Sequence, residues 1–130
     1  MGVIQCPGPV KIGKWCADIQ KQTFSNKEKV WFVSRLIDLA KNLEPFEIPL
    51  KCLNIYNLYP TIKDSIEWIG HIKQVLDADL NYPIILDVEG YIMDGRHRVA
   101  KALLEERETI WAVRFETMPE YDYIDSSYKE

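Results

Sequence analysis

The sequence predicts a small α+β domain, a mixed sheet packed with about three helices. Three observations carry this. Stretches of helical period near residues 26–42, 62–78 and 96–106 are interleaved with short apolar runs near 47–55, 83–87, 91–93 and 109–115. The run Pro83-Ile84-Ile85-Leu86-Asp87 is almost continuously apolar, as expected of a strand covered on both faces. Finally, 130 residues, 47% apolar and 28% charged, are enough for one domain with a real core.

The organisation expected is a single domain over residues 1–117, with residues 1–26 as an N-terminal extension and 118–130 as an acidic tail. The extension holds a short strand candidate at Val10–Ile12 and a docking aromatic, Trp15. A formal net charge of −4 argues against a protein whose main work is gripping nucleic-acid backbone. Cys6, Cys16 and Cys52 are odd in number and lack metal-ligand spacing, so neither a disulfide framework nor a metal site is expected. Reduced thiols, no signal-peptide core and no apolar run long enough to span a bilayer give a cytoplasmic expectation with no membrane partner.

Taken in order, the first helix is expected from a cap at Ser25 or Asn26 to about Asn42, with Val30, Val33, Leu36, Ile37 and Ala40 inward. Glu47–Ile55 reads as a strand, with Pro49 marking an edge. Thr61 is the expected cap of a second helix, with Asp64 three residues on. Its buried stripe is expected to be Ile62, Ile66, Ile69, Ile72, Val75 and Leu76. His71 lies off that stripe and reads as a boundary residue. Glu89-Gly90 turns the next strand into Tyr91-Ile92-Met93. On the third helix Val99, Ala100, Leu103 and Leu104 are expected inward, and Thr109–Phe115 is the last strand. From Met118 to Glu130 the acidic, tyrosine-containing chain lacks an apolar period and reads as a tail, partly disordered or lying on the surface.

The chemistry concentrates in Asp94-Gly95-Arg96-His97-Arg98. Asp94 is the expected N-cap, its carboxylate accepting from first-turn amides. Cations in the first turn oppose the helix dipole, by roughly 0.3–1 kcal/mol each at the surface. The arrangement makes sense if an anion sits in front of it, where amides, dipole and guanidinium groups converge on one phosphate. Arg96 falls on the core side by angle, but at the helix tip, so its guanidinium must reach forward to the mouth.

The stretch Tyr82–Phe115 resembles the ParB/sulfiredoxin superfamily. Gly95-Arg96-His97-Arg98-Val99-Ala100 stands where sulfiredoxins carry Gly-Cys-His-Arg followed by Tyr-Ala-Ala, and Arg107-Glu108-Thr109-Ile110 is similar to the family's run into its last strand. The likeness extends over about residues 46–116. It implies a nucleotide-phosphate site at the helix start, with His97 and Arg98 on phosphates and Gly95 allowing close backbone approach. Lys63 and Ser65 match approximately the family's Lys and Ser near the start of the preceding helix, which reach phosphates. Arg96 replaces the sulfiredoxin cysteine, so sulfinic-acid repair is not expected.

The resulting expectation is a domain that binds a nucleoside triphosphate, ATP or CTP, with magnesium, and transfers or hydrolyses a phosphoryl group. Arg96, His97, Arg98, Lys63 and Ser65 would hold phosphate. Asp94 or Glu89 would act as base or magnesium ligand, against simpler readings as a helix cap and a turn residue. The alternatives are a non-catalytic nucleotide-responsive switch, meeting a protein partner through the tail or exposed aromatics, and a ParB-like nuclease.

Overall fold

The computed structural model describes residues 22–129. Val10–Ile12, Trp15, Cys6 and Cys16 therefore lie outside the described residues. The chain begins with a hairpin, β1 (Thr23–Asn26) and β2 (Lys29–Phe32), whose turn places Lys27 at φ 55°. Only then does α1 (Val33–Ala40) start. The expected helix start at Ser25 or Asn26 is thus corrected: both residues belong to β1. Thr, Val and aromatic side chains favour the pleated surface, and Phe24 stands opposite Trp31 in the ladder with ring centroids 5.8 Å apart. The helical period is real from Val33 onward, where Val33, Leu36 and Ala40 are buried.

Strand β3 (Phe46–Pro49) is shorter than expected, because Leu50–Cys52 turns into a single 3₁₀ turn. Pro49 is the last residue of an edge strand, where its missing N–H costs little. Helix α2 (Ser65–Asp77) follows, then β4 (Ile84–Leu86), β5 (Ile92–Asp94), α3 (Arg96–Leu104), β6 (Thr109–Arg114) and β7 (Tyr123–Ile124). The main sheet has the order β3-β6-β4-β5, with β4 parallel to β6 and the outer pairs antiparallel. The architecture is α+β with a mixed sheet, as the pattern predicts.

The continuous apolar run of β4 has its predicted cause. Ile84 and Leu86 enter one core with Val99, Ala102, Ile110 and Ala112, while Ile85 enters another with Leu36, Ala40, Met93 and Val113. So α3 covers one face of the sheet and α1 the other. On α3 the inward set is Val99 and Ala102, with Ala100 and Leu103 packed at the border. Leu104 is exposed instead, since it ends the helix beyond the sheet.

The tail is no loose appendage. Strand β7 pairs antiparallel with β2, making a three-stranded sheet β1-β2-β7. Asp122 accepts from the Phe32 amide at 2.7 Å and pairs with Arg35 at 2.6 Å. The buried Trp31 donates its indole N–H to the Pro119 carbonyl at 2.8 Å.

Candidate functional site

Strand β5 passes into α3 through Gly95, which takes φ +111° and occupies the N-cap position without a side-chain cap. Asp94 is therefore not the cap. Its Oδ2 accepts from Arg98 Nη2 at 2.8 Å, one turn further on. Arg98 Nη1 donates to the carbonyls of Pro83 at 2.7 Å and Tyr82 at 3.0 Å. The guanidinium thus ties the head of α3 to the residues leading into β4. Gly95 is required by packing: an added Cβ would lie 2.5 Å from Ile84 Cγ2 and 2.9 Å from Ile84 Cβ.

His97 turns toward α2, where its Nε2 lies 3.0 Å from His71 Nδ1 in a stacked pair. Tyr59 packs on both imidazoles, with centroids 4.8 Å from His71 and 5.6 Å from His97. Burial first, then the charges of His71, Arg98 and Arg96, lower the His97 pKa from 6.5 to about 4. The ring is neutral at pH 7. Burial raises the Tyr59 pKa to about 12, although the nearby Arg96 charge works the other way. Its hydroxyl keeps its proton, yet is buried without a hydrogen-bond partner.

Arg96 differs from its neighbours. It is exposed and makes no hydrogen bond or ion pair among the described residues. It lines a cleft of about 370 Å³ together with Lys27, Asn54, Asn57 and Tyr91. The amides of the first turn of α3 have no intrahelical acceptor, because the bonds begin only at Val99 N–H to Gly95 O. A second cleft of about 580 Å³ touches the Asp94–Arg98 pair from the α1 side, but its walls are mainly apolar. Its charged groups are all paired, Lys41 with Asp38 and Arg98 with Asp94.

Helix α2 is capped by Asp64, whose carboxylate accepts from Glu67 N at 2.8 Å, while Glu67 Oε2 accepts from Lys63 N at 2.8 Å. The cap expected at Thr61 moves three residues, and Ser65 becomes the first helical residue. His71 meets His97, and further along both helices Lys101 Nζ reaches the carbonyls of Leu76 and Ala78. The contacts come in the same order on each helix, so α2 and α3 run the same way. Their N-terminal ends point to one side of the domain. Ser65 lies six residues ahead of His71, roughly 9 Å along the axis. Lys63 and Ser65 share that side with Arg96 but do not line its cleft.

No family model, curated protein or solved structure matches this chain.

Gly95, Arg96, His97 and Arg98 thus share one helix start but their side chains diverge: Arg96 lines the cleft, His97 packs on His71, and Arg98 is held by Asp94 and the Pro83 carbonyl. Glu89 stands apart, exposed in the turn at the other end of the β4–β5 hairpin. Asp87, which sequence reasoning passed over, organises that turn: it is fully buried, and its Oδ1 accepts from the amides of Glu89 and Tyr91, both at 2.9 Å. Tyr59, Asn54 and Asn57 were missed because they sit in an irregular connection with no period to mark them. His71 was set aside because nothing local links it to a histidine 26 positions away.

Proposed function

We propose that this domain binds the phosphates of a nucleoside triphosphate, ATP or CTP, at the N-terminal ends of α2 and α3. The observation that carries the reading is Arg96, an exposed guanidinium with no ionic partner among the described residues, in the first turn of α3, whose amides have no intrahelical acceptor. Lys27, Asn54 and Asn57 give the rest of the cleft donors of the right kind. The ParB/sulfiredoxin resemblance implies a phosphate site at the same helix start, but through His97 and Arg98, which here contact His71 and Asp94. Among the described residues no group of three or more His, Cys, Asp or Glu could hold a metal. Magnesium would therefore arrive on the phosphates, which supply much of its coordination at such sites.

In its enzymatic form the site would transfer or hydrolyse the terminal phosphoryl group, with Asp94 or Glu89 as base. A second reading, a non-catalytic nucleotide-responsive switch, is favoured by one observation. The Asp94 carboxylate is already held by Arg98, and Glu89 is remote along the hairpin. Thermal-shift and calorimetric titrations with ATP, CTP and pyrophosphate, with and without magnesium, test the binding. Wild type should be stabilised, and Arg96→Ala should bind about 10- to 100-fold more weakly, corresponding to the roughly 1.5–3 kcal/mol of a charged hydrogen bond. If none of these compounds stabilises the wild type, the reading fails. Phosphate release in the same samples separates the enzyme from the switch.

A further inference from the structure

Helix α2 is amphipathic in an unexpected sense. Its inward face is built from Gly70, His71, Gln74 and Val75, of which only Gly70 and Val75 are buried. The opposite face carries Trp68, Ile69, Ile72 and Leu76, flanked by Ile66. These five are 49%, 43%, 39%, 63% and 43% exposed, respectively. Single exposed apolar residues need no explanation, but a row along a whole helix face does. At about 200 Å² for a large apolar side chain, these exposures leave on the order of 500 Å² uncovered.

We infer that this face is the contact between two copies of the chain, with α2 packed antiparallel on α2 of the second copy. Doubling the patch gives on the order of 1,000 Å², the size a specific interface has to reach. The face is self-complementary, a ridge of branched aliphatic side chains one and two turns apart, as an isologous two-fold contact requires. Lys73 borders the face next to Ile69 and Ile72, Glu67 lies on the inward side with His71, and Lys63, Asp64 and Asp77 stand at the helix ends. The middle of the face, Ile69 and Ile72, is uncharged. An antiparallel pair also sets the helix dipoles head to tail. The contact lies opposite the His71 side of α2, so it leaves the cleft at Arg96 open.

The test is the mass of the full chain in solution. Sedimentation equilibrium or light scattering up to about 100 μM, well above micromolar affinities, should give about twice the 15.2 kDa chain mass. The double variant Ile69→Glu/Ile72→Glu should give the chain mass with an unchanged far-ultraviolet spectrum. Should that variant lose its helical signal, Ile69→Ser/Ile72→Ser replaces it with the same expectation. A monomeric wild type over the whole range overturns the inference and leaves the face to another segment or another protein. A folded variant that stays dimeric overturns it as well, because the contact would then lie elsewhere.

Discussion

At Gly95 the positive φ and the 2.5 Å approach to Ile84 act together. Gly95→Ala would meet left-handed strain of about 1–2 kcal/mol and overpacking of about 1–3 kcal/mol against a residue with no exposed surface. We expect a loss of about 2–4 kcal/mol in urea unfolding, and a variant within 1 kcal/mol of wild type would contradict the packing role. The histidine beside it sets a pH dependence. Its folded pKa of about 4 lies below the ordinary 6.5, so the unfolded chain binds more protons between those values. Stability is then complete above about pH 7 and falls as the pH drops from 6.5 toward 4, with a slope of at most about 1.4 kcal/mol per pH unit for one proton. Glu67, Tyr59, His71, Arg96 and Arg98 face the pair, so the comparison that isolates His97 is with His97→Gln. Unfolding curves at pH 7 and pH 5 should diverge more for wild type than for the variant, and equal differences would remove His97 as the cause.

Among the elements, what was legible in the sequence depended on how local the deciding interaction is. The Asp-Gly turn into α3, the doubly buried β4 and the edge position of Pro49 each leave a signature within a few residues, and each was readable. At Ser25–Phe32 the helical period of the following residues ran on into a hairpin. Val30 fits that period as well as it fits a strand, and the choice was made by pairing with Thr23–Asn26 and, from the far end of the chain, Tyr123. The expected stripe of α2 is apolar, but of its members Val75 is buried while Ile66, Ile69, Ile72 and Leu76 are exposed. Periodicity finds an apolar face but not what covers it, and here the domain's own partner helix takes the side with Gly70, where α3 approaches. Asp94 was misread as a cap for a similar reason. Asp and Gly before a helix have the same signature whichever of them caps, and the choice fell to Arg98, whose guanidinium both anchors the head of α3 and takes the carboxylate.

For the whole molecule the largest departure is the acidic C-terminal segment. Its lack of an apolar period hid a structural role that depends on a few long-range polar contacts. The segment supplies the carbonyl that satisfies a buried indole N–H, the carboxylate that holds Phe32 N–H and Arg35, and a strand whose neighbours Asp122 and Asp125 donate their amides to the Val30 and Glu28 carbonyls at 2.8 and 2.7 Å. A chain ending at Thr117 would leave Trp31 N–H orphaned in the core it shares with Leu36, Val113 and Phe115, and would also lose Met118 from the edge of that core. At about 1 kcal/mol for each ordinary hydrogen bond and about 1–3 kcal/mol for the orphaned donor, the truncation should cost about 3 kcal/mol or more. Asp122→Ala is the point version. It keeps the strand residues and the Trp31 bond but removes the acceptor of Phe32 N–H and leaves Arg35 the Glu120 carbonyl, and the partly exposed ion pair adds little of its own. We expect about 1–2 kcal/mol for this variant, with faster amide exchange at positions 122 and 125 than in wild type. If the segment were a solvated tail, both proteins would unfold at the wild-type urea midpoint and those amides would exchange as fast in wild type as in the variant.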